Sequence, residues 1–411
     1  MPESREASDS KQSKASERSR GRGPTLAKDI NRKRVYQLIK QRRSTSRVEV
    51  AKLLHLNKNT VNSIVDEMLA NGFVLEHGPQ TTSTAGRKPI LLGFNACNKW
   101  SIGVQLTSTV IHWAITDMYA KPLSSFSMSL ESASPESMVK ALVSGIEQIA
   151  RQHRLSDCIG ICVGIPGLIE AASGIVIQSS HLEWHHVSLL DMLRNQVNIR
   201  LQLDNSVKLA SLGELWHGAG QGLDNFIYCN FGNGVGCSIM INGTIVRGDR
   251  NAAGELGHFV VNEHGPICRC GNTGCLEAWV SLPSIMERIS DITGIPKSVM
   301  SMDWIVSEFA SGNKVVIDEI TQAGHYIGKA LSYVTNLLNP KLIICDGPLM
   351  QASQHLFPLI TEQIRKGSID VTFDHLLLKQ SGLFPLASCI GAAASVIQAW
   401  EEDLVTFEST T

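Results

Sequence analysis

One histidine and three cysteines lie close together in the second half of the chain: His258, Cys268, Cys270 and Cys275. Imidazole and thiolate groups are preferred zinc ligands, and four of them satisfy a tetrahedral ion. Glycines and a proline between these residues favour tight turns, which allow a short loop to fold around a metal. Because four strong ligands leave no open coordination position, the pattern predicts one structural zinc ion per chain. The alternative is that the cysteines are ordinary buried thiols.

Glycine-rich segments surround this cluster in a specific order. They are residues 232–236 (Gly-Asn-Gly-Val-Gly), 242–243 (Asn-Gly), Gly248, 254–258 (Gly-Glu-Leu-Gly-His) and 268–277. In this order they resemble the ROK family, which comprises sugar-responsive repressors, open reading frames of unknown role and sugar kinases. Weaker similarity runs from about Trp100 to the C-terminus, and the N-terminal segment resembles that of the family's repressors. The resemblance therefore covers nearly the whole chain.

The resemblance implies a two-lobed, actin-like α/β body with a sugar-binding cleft between its lobes. It also implies sugar contacts from Gly167, Asn205, Glu255, His258 and Glu277. Carboxylates and amides suit this role because they bond vicinal hydroxyls, and buried polar groups reject ligands that lack those hydroxyls. Taken alone, Asn205 and Glu277 are more typical of a helix cap and a surface group. His258 would serve both zinc and sugar, with the metal fixing its ring.

Three departures from the family's kinases argue against an enzyme. Where the kinases carry Asp-x-Gly-Gly-Thr for the nucleotide phosphates, residues 105–109 read Gln-Leu-Thr-Ser-Thr and lack the glycines that permit close backbone approach. The kinases' catalytic Asp aligns with Ser206, and a neutral hydroxyl cannot replace that base without a neighbouring one. Their Gly-Gly pair near adenosine reads Asp346-Gly347. We expect no catalytic residues, and the remaining glycine loop at 232–236 is only a weak nucleotide signal.

Length and charge indicate several domains with different partners. The chain has 411 residues, which corresponds to two or three domains at roughly 150 residues each. Residues 28–97 hold twelve Lys or Arg against five Asp or Glu, a net charge of +7. Residues 1–27 carry +2, so the whole-chain charge of −1 leaves −10 for the remainder. A basic N-terminal region on an acidic body indicates a polyanionic partner for that region.

Helical periodicity begins near Asp29 and predicts a helix-turn-helix. Apolar residues recur at helical spacing in three segments, at 30–39, 48–54 and 61–68. Residues 44–46 (Ser-Thr-Ser) offer caps for the second helix, and Asn57 offers one for the third. The short connection between these two helices completes the motif.

Two apolar runs after Gly72, at 73–75 and 90–92, predict the strands of a wing. Between them, residues 86–89 (Gly-Arg-Lys-Pro) form a slim basic segment suited to an A·T-rich minor groove. A three-helix module also serves protein contacts, but the net charge and the wing favour double-stranded DNA. The expected DNA contacts are Lys58, Asn59, Thr60, Asn62, Ser63, Arg87 and Lys88.

Alternating apolar runs and helical segments divide the rest of the chain. Runs at 101–104, 158–163 and 342–345 predict strands of an α/β body. We expect a disordered tail at 1–24 and a winged helix-turn-helix domain at 25–97. The first lobe would comprise 98–204 with 385–411, and the second lobe 205–384 with the zinc loop.

Targeting features and cysteine content indicate the cellular compartment of the protein. No apolar run approaches the ~20 residues that cross a bilayer, and the N-terminus is polar rather than a signal peptide. Ten cysteines without an export signal are typical of reduced thiols. The sequence therefore predicts a cytoplasmic protein without a membrane span.

Together these features predict a sugar-responsive transcriptional regulator, namely a repressor that a sugar or sugar phosphate releases from operator DNA. It would act as a homodimer or tetramer, since paired heads read paired half-sites. One alternative is a regulator controlled by a protein partner, with a vestigial sugar cleft. A second is an active ATP-dependent sugar kinase with an added DNA-binding domain.

Overall fold

The computed structural model describes residues 23–79 and 89–403. Its packing divides the chain into two compact units, Met1–Lys99 with Ile397–Thr411, and Trp100–Val396. We call the described parts of these units the head and the body. The predicted tail lies outside the described residues except for positions 23 and 24, which begin a helix. The domain boundaries given above remain predictions.

The head combines three helices with a three-stranded antiparallel sheet. The helices are α1 (Gly23–Arg42), α2 (Arg47–Leu54) and α3 (Lys58–Ala70), and the strands are β1 (Ser44–Ser46), β2 (Val74–Pro79) and β3 (Ile90–Phe94). Ser46 and Asn57 cap α2 and α3, accepting hydrogen bonds from the N–H groups of Glu49 and Asn59. The predicted helices, caps and wing strands are confirmed. The sheet order β1-β3-β2 adds a strand that the sequence did not indicate.

The head core includes residues from the C-terminus of the chain. Ile39 of α1 and Ile64 of α3 are fully buried between the helices. The Trp400 ring packs against Tyr36 and Phe73, with ring centroids 6.2 and 5.6 Å apart. The end of the last helix is therefore part of the head's apolar packing.

Two five-stranded sheets of the same topology form the body. The first lobe contains β4 (Trp100–Leu106), β5 (Val110–Asp117), β6 (Pro122–Ser129), β7 (Cys158–Ile165), β8 (Leu168–Glu170), β9 (Ile175–Ser179), β10 (Trp184–Val187) and β11 (Leu201–Asn205). The second contains β12 (Phe226–Phe231), β13 (Val235–Ile241), β14 (Thr244–Ile245), β15 (Leu342–Asp346) and β16 (Leu377–Gln380). Their orders, β11-β7-β4-β5-β6 and β16-β15-β12-β13-β14, correspond strand for strand. This duplication defines a two-lobed, actin-like fold, and the three predicted body strands are confirmed within it.

Helices cover the sheets and connect the lobes. They are α4 (Pro135–Ala150), α5 (Leu189–Arg194), α6 (Ser206–His217), α7 (Leu276–Val280), α8 (Leu282–Thr293), α9 (Met302–Ala310), α10 (Lys314–Leu338), α11 (Ser353–Gly367), α12 (Asp370–Phe373) and α13 (Ala387–Glu402). A Cβ on Gly391 of α13 would lie 1.6 Å from the Leu209 carbonyl of α6. Only glycine permits this approach, which brings α13 against α6 where α6 leaves the first sheet.

Each lobe has its own apolar core. One cluster joins β4, β5, β7 and α4, and the other joins β12, β15, α10 and α11. Within the described ranges, no helix combines the length and the apolar character needed to cross a bilayer.

Candidate functional site

The four predicted metal ligands come together in the second lobe. Nδ1 of His258 lies 3.7 Å from Sγ of Cys268, and Sγ of Cys270 lies 3.7 Å from Sγ of Cys275. All four ligand atoms lie within 4.8 Å of one another. Zn–S bonds of about 2.3 Å place tetrahedral ligands roughly 3.8 Å apart. The donor set and its spacing therefore fit a zinc ion.

The metal loop is positioned by backbone pairing. Isolated bridges join Val260 to Cys275 and Ile267 to Thr273, so the loop folds back on itself between its first and last cysteines. His258 ends a short 3-10 turn, and Cys275 directly precedes α7. The four ligands are thus held on segments that are anchored at both ends.

His258 links the metal cluster to a cleft. Its second ring nitrogen, Nε2, lies 3.8 Å from a carboxylate oxygen of Glu255. The cleft has a volume of about 590 Å³, and its lining includes all five predicted sugar contacts: Gly167, Asn205, Glu255, His258 and Glu277. A metal on Nδ1 would fix the ring while leaving Nε2 toward the cleft.

Gly167 and Asn205 form the first-lobe side of this set. Gly167 has a φ of +123°, and a Cβ there would lie 2.3 Å from the Gln178 carbonyl. Nδ2 of Asn205 donates to the Gly167 carbonyl at 2.8 Å, and its Oδ1 caps α6 by accepting from Val207 and Lys208 N–H. The cap interpretation of Asn205 is correct, and one amide hydrogen remains for a ligand.

Glu277 connects the metal loop to the glycine-rich segment 232–236, which joins β12 to β13. Oε2 of Glu277 accepts the Val235 N–H at 2.9 Å, and Oε1 lies 3.4 Å from Nη2 of Arg269. The Glu277 side chain is only 11% exposed, so it is not the surface group that its sequence context alone would favour. Gly234 also belongs to this corner, because a Cβ there would meet both His181 and Glu277.

Several cationic or titratable residues that sequence reasoning did not identify line the cleft, and three of them lie close to the predicted sugar contacts or follow them in the chain. The three are His181, Lys208 and Arg269. Arg269 stands between two metal ligands, so the Cys-Arg-Cys pattern could have pointed to it. Burial lowers the pKa of His181, but nothing in its sequence context singles it out.

Lys208 introduces a buried cation into the lining. It is 3% exposed, and its Nζ donates to the carbonyl oxygen and to Oδ1 of Asn251. Asp204, an acidic group that acts on Lys208, is held by both guanidinium nitrogens of Arg247, at 3.1 and 2.7 Å. Burial lowers the pKa of Lys208 accordingly.

The positions that would carry phosphoryl transfer hold other groups. Ser206 is the first residue of α6 and lines the cleft. Oγ1 of Thr107 accepts the Val110 N–H at 2.9 Å and is used within the β4–β5 turn. Asp346 lies 4% exposed at the end of β15, where it accepts hydrogen bonds from the Tyr228 hydroxyl and the Gly347 N–H. Burial raises the pKa of Asp346.

A second candidate surface lies on the head. Lys58, Asn59, Asn62 and Ser63 are exposed along the first half of α3, and Thr60 is half-buried beside them. These are the predicted α3 contacts, and they share one stretch of helix. Arg87 and Lys88, the predicted wing contacts, lie outside the described residues.

Arg47 neutralises the acidic groups next to this surface. Its guanidinium lies 2.7 Å from the Asp66 carboxylate and 3.3 Å from that of Glu76. Since Asp66 is on α3 and Glu76 on β2, the pairs also connect the helix to the wing. Both of these acidic residues are therefore paired.

A helix-turn-helix head with wing strands, joined to a two-lobed body with a polar cleft, is typical of ligand-responsive DNA-binding regulators. The sequence profile of the ROK family matches residues 101–399. The chain therefore belongs to the ROK family.

Relatives of known role match over almost their whole length. The xylose repressor of Caldicellulosiruptor bescii is 28% identical over 396 residues, which covers 93% of this chain and 98% of the relative. The Escherichia coli DNA-binding transcriptional dual regulator NagC is 28% identical over 382 residues, covering 91% and 94%. The similarity to both regulators thus includes the head.

Solved structures of ROK family proteins also resemble this chain. A ROK family transcriptional regulator described as a homologue of the E. coli MLC protein superposes with a TM-score of 0.78 at 27% identity, covering 92% of this chain and 98% of its own. A ROK glucokinase from Streptomyces griseus, in complex with glucose and AMPPNP, gives a TM-score of 0.66 at 24% identity and covers 73% of this chain. The likeness to the glucokinase concerns the fold alone.

Proposed function

We propose that the chain is a sugar-responsive transcriptional repressor that leaves its operator when a sugar or sugar phosphate enters the cleft. The observation that carries this proposal is the combination, in one chain, of an exposed polar face on α3 with a cleft lined by hydroxyl-binding groups. The full-length similarity to a xylose repressor and to NagC supports it. Operator binding would place the protein in the cytoplasm.

The proposed sugar contacts are the five residues at the metal side of the cleft. Glu255, Glu277 and Asn205 supply acceptors and donors for vicinal hydroxyls, Gly167 gives backbone access, and His258 presents Nε2. The metal would be one structural zinc per chain, bound by His258 and the three cysteines. It would supply no chemistry beyond fixing the loop and the imidazole.

The proposed DNA contacts lie on the head. The exposed α3 side chains would reach phosphates and base edges in the major groove, with Arg87 and Lys88 in the minor groove. A homodimer or tetramer would supply the paired heads that a palindromic operator needs.

We further propose that the chain is not a kinase. Ser206 offers no carboxylate base, Thr107 is used in its own turn, and the carboxylate of Asp346 would repel a triphosphate. In a regulator, the same cleft needs only to bind its ligand with different affinities in two conformations of the protein.

A thermal-shift screen of the purified protein against free and 6-phosphorylated sugars tests the sugar response. A ligand that binds only the folded state raises its stability by RT ln(1 + [L]/Kd). At least one sugar should raise the melting temperature of the wild type, and Glu255→Gln should remove most of that rise. Glu131→Gln, at an exposed site outside the cleft, is the matched control. Operator binding without any response to sugars would favour control by a protein partner.

A further inference from the structure

The cleft extends beyond the residues proposed to hold one sugar ring. Its lining continues over the β4–β5 turn, the ends of β12 and β15, and the segment that leads into α13. Six residues represent this part, which we call the second subsite: Gln105, Ser108, Asn230, Asp346, Phe384 and Ser388. None of the six belongs to the proposed sugar contacts or to the metal cluster.

The elements of the second subsite contact one another. Asn230 and Asp346 are register partners on the neighbouring strands β12 and β15. A Cβ on Gly232 would lie 3.0 Å from Pro348, and one on Gly164 would lie 2.7 Å from Oγ of Ser388. The second subsite is therefore a packed wall of the cleft.

The charge of this wall opposes a phosphate. Asp346 is the charged member of the six, and none of them is a Lys or Arg. The carboxylate is buried, and its oxygens are held by the Tyr228 hydroxyl and the Gly347 N–H. An anion placed here would meet a carboxyl group and no cation among the six residues, which disfavours a phosphate.

The same wall has the features of a site for a neutral polyol. Phe384 is 46% exposed and lines the cleft, so its ring offers an apolar surface. Ser388 is 3% exposed, and among the described residues its Oγ has no hydrogen-bond partner. Because this hydroxyl is buried against Gly164, it belongs to the wall itself and is not open to a ligand. The amides of Gln105 and Asn230 add donors and acceptors.

The volume of the cleft also favours a ligand larger than one sugar ring. Pockets of roughly 300–1,000 Å³ hold drug-sized ligands, and this cleft of about 590 Å³ falls in that range. A single pyranose ring is smaller than such ligands. A monosaccharide bound at the metal side would leave the second subsite open.

We propose that the second subsite binds a second, uncharged sugar ring, so that the effector is a disaccharide or a related glycoside. This inference rests on the proposed sugar response and adds the class of effector. Any phosphate on the effector would lie away from Asp346.

Calorimetry on the full-length, zinc-containing protein tests the inference with matched ligand pairs: glucose with cellobiose and maltose, xylose with xylobiose, and N-acetylglucosamine with its β-1,4 dimer. At least one disaccharide should bind about tenfold more tightly than its own monosaccharide. Phe384→Ala should remove most of that gain while leaving monosaccharide affinity unchanged. Tyr333→Ala, an exposed aromatic on α10, is the control for Phe384→Ala.

Two results would overturn the inference while leaving the sugar response intact. One is monosaccharide binding with no gain for any disaccharide. The other is competition between Mg-AMPPNP and a bound sugar, which would show that the wall accepts a triphosphate. Absence of binding by every sugar, short or long, would instead contradict the proposed function itself.

Discussion

His258 is the residue at which the proposed metal site and the proposed sugar site meet. Nδ1 faces the cysteines, whereas Nε2 faces Glu255 and the cleft. A metal on one nitrogen fixes the tautomer and orientation of the other. Loss of the metal should therefore alter the cleft through the orientation of the His258 imidazole.

Cys268→Ser tests this link. The variant should lose its zinc and melt at least about 5 °C lower, because metal binding at such a site contributes to folding. It should also lose the thermal response to the sugar. Elemental analysis and thermal-shift data on the same sample report both effects. Cys97→Ser, at an exposed cysteine outside the cluster, should change neither, and a metal-free protein that still responds to sugar would refute the structural role.

Ser206→Asp tests whether one residue separates this chain from an enzyme. The substitution restores a carboxylate at the start of α6, but Gln105 and Thr107 still shape the β4–β5 turn and Asp346 still faces the second subsite. We expect no sugar phosphate above background from ATP, magnesium and a panel of aldohexoses, for the wild type or the variant. Turnover by the wild type, measured with a mass-spectrometric assay, would contradict the proposed loss of kinase activity.

Residue types and spacing predicted that the four possible metal ligands lie together, because these residues fall within eighteen positions and form one loop. The five proposed sugar contacts came from the family resemblance. Lys208 could not be found in either way, since its burial depends on Asn251, 43 positions along the chain. His181 likewise lies close to Gly234 and Arg269, which are distant from it in the sequence.

At the scale of elements, α3 presents the head's exposed polar side chains. Its buried side is apolar, with Val61, Ile64, Val65 and Met68 in the core. The outward side is therefore free for DNA, and Asn57 fixes where the helix begins.

Two substitutions on α3 should affect DNA binding differently. Lys58→Ala should weaken all sequences about equally and reduce the slope of log affinity against log salt by roughly one. Asn62→Ala should cost about 1–3 kcal/mol on the preferred operator alone. Fluorescence anisotropy over a salt series, with Lys314→Ala on α10 as the control, distinguishes the two. Unchanged DNA binding by both variants would show that the DNA interface does not lie on α3.

The contact between α6 and the segment before α13 predicts a dependence on pH. Oε1 of Glu214 accepts the Ser381 hydroxyl and Oε2 accepts the Ala219 N–H, and burial raises the pKa of this carboxyl. Above the ordinary Glu pKa of about 4.3, the unfolded chain has released this proton whereas the folded state still holds it. The free energy of unfolding therefore decreases as pH rises through this window.

Glu214→Gln removes that titration. Relative to the wild type, the variant should become progressively more stable as pH increases above the ordinary Glu pKa of about 4.3, even if it is less stable at the acid end. Denaturant melts of both proteins at matched pH values measure the difference. A difference that is constant with pH would show that the Glu214 pKa is not raised.

The sequence predicted the helices and wing strands of the head well, because each has a clear period and local caps such as Ser46. It could not predict β1, a three-residue strand that exists only by pairing with β3. The packing of Trp400 against Tyr36 joins positions from opposite ends of the chain. Contacts of that kind have no local signal.

At the scale of the whole molecule, the body repeats one topology twice and places its cleft where α6 and α13 meet the two sheets. The basic residues are concentrated in the first hundred positions, whereas the body is acidic. This distribution favours a polyanion at the head and a small ligand in the body. A repressor that a sugar releases from DNA must couple these two binding events.

The most direct measurement is the affinity of the full-length protein for a selected operator, with and without the effector found by the sugar screen. Coupling in regulators typically amounts to about 1–3 kcal/mol, or roughly 5- to 150-fold. We predict that the sugar weakens operator binding within that range, and that operator DNA weakens sugar binding by the same factor. Glu255→Gln should reduce the coupling, whereas Glu131→Gln should not. Tight binding of both ligands with no effect of one on the other would contradict the account.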